Sequence, residues 1–264
     1  MFRQRFLTST QVAAWTSGGL LIPSRAGGVG YAAEVIADNP VSYWRFEEAS
    51  GPYEATYGAS TATVVGSPTR AAPGAARSAR AVGFPTVSSY VQLGAAGSLP
   101  GSAYRAAFTF ECWFKVATFT AVDTGQVYYQ LVGTDTSSDA FSDRSWSMGM
   151  GRYTSNLGHV AVLVAVGTTV AEVGWNVRLD DNVWHHGVGV YDGGTLKMYV
   201  DGVLRASAAK TGSVNAGSRV PVVGLNHYHS SPYPAVAFPG VVDEVAIYPT
   251  ALSAARVLAH YQAA

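Results

Sequence analysis

The sequence has almost no means of covalent cross-linking, because Cys112 is the only cysteine among its 264 residues. A single cysteine excludes an internal disulfide and a thiolate metal cluster. Cys112 alternates with Phe110 and Phe114, so we expect a buried structural thiol on the apolar face of a strand. The fold is therefore expected to depend on packing.

Charge is also scarce, because Asp, Glu, Lys and Arg together make up only 13% of the chain. The 17 basic residues balance the 17 acidic ones. Without a basic surplus we expect no nucleic-acid partner and no electrostatic attraction to an anionic membrane. No apolar run has the length of a transmembrane helix, so we expect no membrane span.

Helical periodicity is rare, whereas short alternating segments between glycine and proline turns recur along the chain. The clearest case is 184–201, where two alternating segments flank Asp192-Gly193-Gly194 and a second turn, Asp201-Gly202, leads into a third segment. This pattern predicts a three-stranded meander whose turns contain residues with positive φ. Many short strands with little helix predict an all-β fold, a two-sheet antiparallel jelly-roll sandwich.

Other strands are predicted near 41–48, 61–65, 86–93, 107–117, 126–133, 144–151, 158–166, 169–175, 219–224 and 239–248. A short helix or turn is predicted over 31–38. The last helix is expected to start at an N-cap, Ser253, and to bury a stripe of Val257, Leu258 and Tyr261.

Four segments in order carry a family resemblance: 41–48, 108–115, 184–202 and 238–253. The third reads W-H-H-x-x-x-x-Y-D-G, then Y-V-D-G, and the fourth reads F-P-G-V-V-D-E-V-A-I-Y with A-L-S after it. Together they resemble the laminin-G-like domains of the concanavalin A-like lectin and glucanase superfamily. The resemblance implies a jelly-roll domain over 31–264 with its first and last strands paired, and leaves 1–30 as an N-terminal docking arm.

The resemblance is compatible with lectins, adhesion modules, enzymes and virion parts, so catalysis has to be tested on the residues. Glucanase-like members carry E-x-D-x-x-E on one strand, and that spacing is absent here. The adjacent carboxylates are Glu47-Glu48, Asp180-Asp181 and Asp243-Glu244. Because neighbours on a strand point to opposite faces, no such pair is expected to act together. We expect no catalytic residues and no enzyme activity.

Calcium is the cofactor that the resemblance implies, with Asp243 and Glu47 as its candidate ligands. Asp243 is expected to share an inward strand face with Val241, Val245 and Ile247. Glu47 would approach it if the first and last strands pair. The alternative is that Asp243 accepts hydrogen bonds from loop amides without metal, and the loop 49–54 lacks the Asn-rich pattern common in the family.

Zinc is not expected, although histidines are conspicuous. His185 and His186 are consecutive on a strand and must face opposite ways, so we expect packed, hydrogen-bonded side chains. His227 and His229 have no evident third ligand. Trp113 lies on the polar side of its strand, and we expect the other sheet or a helix to cover it.

The loop 226–234 is the candidate ligand-binding segment, because it is long, aromatic and fixed by two prolines. Its candidate residues are Asn226, His227, Tyr228, His229 and Tyr233. A second candidate is the loop 134–144, which contains Asp135, Asp139 and Asp143. Either loop could instead contact a neighbouring subunit or lie free in solvent.

The N-terminal segment is rich in apolar residues that would be a liability on a free tail. The candidate assembly residues are Phe2, Phe6, Leu7 and Trp15. The apolar part is interrupted by 8–11, so it is a poor signal peptide and is expected to be retained. We expect the arm to dock on other virion or surface proteins, within a homo-oligomer or larger assembly.

These observations favour non-catalytic recognition by a structural protein of a bacteriophage virion, either a capsid decoration or a tail component. Its laminin-G-like adhesion domain is expected to bind host glycans, on the virion or at the extracellular surface. The alternative is a secreted or surface carbohydrate-binding module of a bacterium, and a glycoside hydrolase is the least favoured reading.

Overall fold

The structure is a computed structural model that describes residues 30–58, 60–71, 73–95, 104–118, 128–134, 145–151, 158–217, 220–226 and 236–264. The helices are α1 (Tyr31–Ala37) and α2 (Ala254–Ala263). The strands are β1 (Ser42–Trp44), β2 (Ala62–Val65), β3 (Thr69–Ala71), β4 (Ala81–Gly83), β5 (Tyr90–Leu93), β6 (Phe108–Lys115), β7 (Tyr128–Thr134), β8 (Trp146–Gly151), β9 (Val160–Val166), β10 (Thr169–Gly174), β11 (His185–Tyr191), β12 (Thr195–Val200), β13 (Val203–Ala209), β14 (Pro221–Val223), β15 (Leu225–Asn226), β16 (Val236–Ala237) and β17 (Val241–Tyr248).

Two antiparallel sheets face each other and confirm the predicted sandwich. The first, sheet A, has the order β13-β12-β11-β6-β17-β4-β3, and β1 also pairs with β17. The second, sheet B, has the order β10-β9-β8-β7-β14-β5-β2, and β15 and β16 form a separate ribbon. The predicted pairing of first and last strands is confirmed, since Tyr43 lies opposite Ala246.

The core between the sheets is made by alternate residues of their central strands. Phe110 of β6 lies against Trp146 of β8, with ring centroids 4.7 Å apart. On the same two strands, the Sγ of Cys112 lies 3.8 Å from the Sδ of Met148. Cys112 is fully buried, as expected, and this burial raises the pKa of its thiol.

The predicted meander is strands β11, β12 and β13, and its turns use residues in the left-handed region. Gly193 has φ +85° in the first turn, and Asp201 and Gly202 have φ 53° and 75° in the second. A Cβ at Gly193 would also lie 2.7 Å from the carbonyl oxygen of Ala106. Glycine is required there both by backbone conformation and by space.

A bulge in β17 corrects one sequence-based expectation. Glu244 has φ 50°, and the pairing with β6 shifts between Asp243 and Ala246. The extra residue reverses the alternation, so Val245 and Ile247 join the core between the sheets while Asp243 lies opposite Trp113 on the outer face. The prediction that Asp243 shares a face with Val245 and Ile247 was therefore wrong, although its carboxyl is buried as expected.

Both helices lie on the outer face of sheet A. Helix α2 begins as predicted, because the backbone N–H of Arg256 donates to Ser253 Oγ at 3.3 Å. Its predicted stripe was wrong at Leu258, which is 39% exposed, whereas Val257 and His260 are fully buried. The buried face is centred on His260 because that imidazole finds partners beneath the helix. Neither helix of the described chain is long and apolar enough to span a membrane.

Gly189 of β11 gives a test of how tightly this sandwich packs. A Cβ there would lie 2.2 Å from Cζ of Phe110, so Gly189→Ala is expected to force the ring aside. We expect the free energy of unfolding to fall by about 1–3 kcal/mol in urea denaturation. Gly194→Ala is the matched control, since its nearest neighbour is 3.6 Å away, and should change it by less than about 0.5 kcal/mol. Equal effects would contradict the packing.

Candidate functional site

The outer face of sheet A is closed by a buried polar network centred on Glu111 of β6. The Oε2 of Glu111 lies 3.1 Å from both His186 Nε2 and His260 Nδ1, and its Oε1 accepts a hydrogen bond from Tyr248. His260 reaches on through Nε2 to Asp38 at 3.0 Å. The network therefore ties both helices to the sheet.

Aromatic rings also pack on this outer face of sheet A, and they cover Trp113. Its ring lies parallel to His186 at a centroid distance of 5.0 Å and to Tyr261 of α2 at 6.0 Å. Tyr31 of α1 meets it edge-on at 6.0 Å. Trp113 is thus covered by the two helices, one of the coverings expected from sequence.

The charges of this network support one another. Burial alone would raise the pKa of Glu111, but the charge of His260 and the hydrogen bonds from His186 and His260 hold it well below its usual range. Burial alone would lower the pKa of His260, but Glu111 and then Asp38 raise it. The negative charge of Glu111 and a positive charge on His260 therefore stabilise each other.

His185 points the other way from His186, as the strand alternation predicts. Its Nδ1 lies 2.9 Å from Asp201 and its Nε2 3.2 Å from Asp181. Burial opposes the charge, but the hydrogen bond and charge of Asp201 and the charge of Asp181 raise the pKa of His185. Both histidines are packed and hydrogen-bonded, as expected.

The two residues predicted to bind calcium contact one loop, 73–80, at different amides. Asp243 Oδ2 accepts the N–H of Ala75 at 2.8 Å, and Glu47 accepts the N–H of Ala79 at 3.1 Å. Calcium takes about six to eight oxygens. Among the residues that the structure describes, no three His, Cys, Asp or Glu side chains form a metal-ligand group. The donors at Asp243 therefore give calcium no support.

The bulge places the buried carboxyl of Glu244 beside that of Asp243, so the expectation that these neighbours face opposite ways was wrong for this pair. Glu244 accepts hydrogen bonds from Tyr43 and, at 3.2 Å, from Arg45 Nε. Burial raises the pKa of Glu244 to about 7, against the lowering effect of Tyr43 and Arg45. Burial and the charge of Glu244 raise the pKa of Asp243 well above its usual range. No sequence signal marks the bulge, because glutamate rarely adopts positive φ.

An open groove of about 600 Å³ is lined by residues of β3, β4, β7, β16 and β17 and by no residue of either helix. One wall is the segment after β4, from Phe84 to Val87, and the other is β16 with the start of β17. Thr69 and Tyr129 also line it. The walls are mainly apolar, and Val87 on the rim is 48% exposed.

Asn226, the first residue of the candidate loop 226–234, pairs with Val236 in the ribbon of β15 and β16, and Val236 lines this groove. Asn226 ends β15, is 7% exposed, and its Nδ2 donates to the carbonyl oxygen of Tyr128 at 2.6 Å. The chain resumes at Val236, which lines the groove. The other candidates for ligand binding lie outside the described residues: His227, Tyr228, His229 and Tyr233.

The remaining predicted features also lie outside the described residues. They are the second candidate loop with Asp135, Asp139 and Asp143, and the arm residues Phe2, Phe6, Leu7 and Trp15. The roles of these residues, and of the candidate loop 226–234, therefore stay predictions.

Two facing antiparallel sheets with paired first and last strands define the lectin-like jelly-roll class of domains. The chain belongs to the Laminin_G_3 family, described as the concanavalin A-like lectin/glucanases superfamily, which matches residues 85–258. This confirms the resemblance to laminin-G-like domains. Comparison with curated protein sequences gives no significant match.

Solved structures with the same fold are remote in sequence. The receptor binding domain of botulinum neurotoxin C/D mosaic serotype is 12% identical with a TM-score of 0.62, covering 85% of this chain and 51% of that one. The serotype D ligand binding domain in complex with N-acetylneuraminic acid is 11% identical with a TM-score of 0.60, covering 88% and 52%. This chain therefore spans about half of those toxin domains.

A third structure matches over nearly its whole length. Domain 4 of AbnA, a GH43 extracellular arabinanase from Geobacillus stearothermophilus, in complex with arabinotriose, is 17% identical with a TM-score of 0.58. The match covers 83% of this chain and 96% of that domain. At these identities the likeness establishes the fold alone.

The Glu111 network predicts a specific pH dependence of stability. Because the pKa of His260 is raised, its contribution is present below about pH 6.5 and is lost as pH rises through the raised value. Because the pKa of Glu111 is lowered, its contribution is present above about pH 4.3 and is lost as pH falls through the lowered value.

His260→Gln is expected to lower the free energy of unfolding most at about pH 5.5, by about 3 kcal/mol, and less at about pH 9. Urea denaturation across this range measures the difference. His159→Gln is the control, because burial and the charge of Arg178 lower the pKa of His159. The decrease in the free energy of unfolding caused by His159→Gln should therefore not be largest at acidic pH. A pH-independent effect of His260→Gln would show that its charge is not what matters.

Proposed function

We propose that this protein is a non-catalytic recognition domain that binds carbohydrate in the groove beside β16. The observation that carries the proposal is the groove itself, about 600 Å³, whose lining residue Val236 follows the aromatic segment 227–235 and pairs with Asn226, the residue that precedes it. This volume lies within the range of about 300–1,000 Å³ typical of ligand sites. The helices cover a different face, so the groove remains open.

The chemistry of the groove suits binding more than hydrolysis. Its described lining includes no Asp or Glu, and the segment 227–235, H-Y-H-S-S-P-Y-P-A, contains none either. Hydrolysis of a glycosidic bond ordinarily needs two carboxyl groups. Glu111, Asp243 and Glu244 are each committed to buried hydrogen bonds elsewhere. A glycoside hydrolase is therefore not favoured at this site.

A sugar has both apolar and polar surfaces, and the groove offers partners for each. Phe84, Val87 and Val236 supply apolar wall, while Thr69 and Thr86 supply hydroxyls. The tyrosines Tyr228 and Tyr233 are proposed to add rings that cover the sugar and hydroxyls that bond to it. Two similar structures carry a saccharide in their descriptions, which supports the ligand class.

The wider setting is proposed from sequence. A bacteriophage virion component, attached through the N-terminal segment, is favoured by the laminin-G-like family and by the apolar residues before Tyr31. The alternative is a bacterial secreted or surface carbohydrate-binding module. Calcium remains an expectation of the family resemblance, and the proposed binding does not depend on it.

A matched pair of rim substitutions tests the groove. Val87→Arg places a long cation on the groove rim, whereas Val203→Arg changes a valine of equal exposure, 47% against 48%, on the edge strand β13. On a glycan array, Val87→Arg is expected to weaken binding at least about tenfold, by steric and polar obstruction, and Val203→Arg to leave it unchanged.

Tyr228→Ala tests the segment itself and should reduce the same binding without changing the thermal midpoint. Failure of the wild-type protein to bind any glycan on the array would overturn carbohydrate recognition. Binding that survives both Val87→Arg and Tyr228→Ala would place the sugar elsewhere on the domain.

The attachment proposal has its own test, the solution mass of the full chain beside a variant that starts at Tyr31. We expect a defined oligomer for the full chain and a monomer for the truncation, because removal of the apolar residues Phe2, Phe6, Leu7 and Trp15 removes the docking surface. Light scattering at equal concentration measures both. Two monomers of equal stability would contradict a role in self-assembly and favour the free surface module.

A further inference from the structure

We propose that the aliphatic triplet 20–22, Leu-Leu-Ile, docks on the domain of its own chain, on an outer patch formed by Leu204, Leu258 and Tyr261. The outer patch lies on sheet A, where the edge strand β13 passes beside helix α2. The proposal concerns the part of the N-terminal segment that is nearest to the domain. It depends neither on sugar binding nor on the attachment proposed for the residues closer to the N-terminus.

The outer patch groups exposed leucines with an aromatic ring. Among the large apolar residues of the described chain that are exposed, the two leucines are Leu204 and Leu258. A Cβ at Gly202 would lie 2.9 Å from Leu258 and 3.1 Å from Tyr261, so both side chains pack on the turn that begins β13. Leu204 follows that turn by two residues. Single exposed apolar side chains are ordinary, whereas a group of them is typical of a contact surface.

Leu204 lies on the same face of sheet A as the two helices. It pairs with Tyr199, which belongs to the buried cluster on that outer face. Its neighbour Val203 pairs instead with Val200, which belongs to the core between the sheets. Because cross-strand partners share a face and neighbours alternate, Leu204 and Val203 point to opposite faces. Their exposed fractions are nearly equal, 49% and 47%, which makes them a matched pair.

The N-terminal segment joins the described chain close to the outer patch. Tyr31 is the first residue of α1, and its ring lies 6.0 Å from that of Trp113. The ring of Tyr261 also lies 6.0 Å from Trp113, on which it stacks. Ile22 precedes Tyr31 by nine residues, which span up to about 30 Å at roughly 3.3 Å per residue. The triplet can therefore reach the outer patch of its own domain.

The physical driving force is the removal of two apolar surfaces from water. The triplet consists of three large aliphatic side chains in succession, and its burial against leucine and tyrosine is favourable in proportion to the area covered. The short connection to α1 holds the triplet at an effective concentration on the order of millimolar. A second copy of the chain in dilute solution competes poorly with that, so the occupant is the same chain.

Trypsin cleavage after Arg25 tests the docking in the full-length chain, because this bond lies within the connection between the triplet and α1. When docking exchanges faster than cleavage, the cleavage rate follows the undocked population. Leu204→Gln is expected to raise the rate about tenfold, since it removes apolar contact from the outer patch. Val203→Gln is the control and should leave the rate unchanged. Neither variant adds a charge or a trypsin site, and equal thermal midpoints show that both are folded.

A cross-link identifies which chain occupies the outer patch. Leu21→Cys is combined with Leu204→Cys or, as the control, with Val203→Cys, and each protein is treated in dilute solution with a short bismaleimide. Cys112 is fully buried and should not react. We expect about tenfold more product within one chain for Leu204→Cys than for Val203→Cys, measured by peptide mass spectrometry.

The outcomes decide the proposal without reference to the groove. Equal cross-linking at the two strand positions overturns docking on the outer patch, and products mainly between two chains overturn docking within one chain. A cleavage rate after Arg25 that stays unchanged in Leu204→Gln, or that rises equally in Val203→Gln, overturns it as well. Glycan binding and the solution mass report on the other proposals, so failure of one is distinguished from failure of the others.

Discussion

The structure depends on one buried carboxylate, Glu111, more than on any other polar group. A charge at this depth is tolerated only when it is paired and hydrogen-bonded, and its partners His186, Tyr248 and His260 come from two strands and a helix. Satisfying Glu111 therefore decides where α2 lies, and α2 decides which face of the domain is closed. The other faces of the domain are left uncovered by the helices.

Much of this arrangement could be predicted, because it follows from local patterns. Alternation and turn chemistry located the meander around Gly193 and Gly202, and the N-cap Ser253 located the last helix. The bulge at Glu244 could not be predicted, because it arises from pairing with β6 and no glycine in the sequence marks its position. For the same reason the faces of β17 were assigned incorrectly beyond Asp243.

The candidate functional residues also divide into those marked by a local sequence pattern and those that depend on distant partners. The aromatic segment 226–234 was visible in the sequence because its composition is local, and the fold places its first residue, Asn226, opposite Val236, which lines a groove. His260 was missed, because a histidine at the end of a helix is ordinary until its distant partner is known.

Strand β7 carries consecutive tyrosines whose side chains leave it on opposite sides, because Tyr129 lines the groove while the hydroxyl of Tyr128 donates to the carbonyl oxygen of Ala161 on β9. Because side chains alternate along a strand, a slip of β7 by one residue would exchange the two tyrosines between the faces of sheet B.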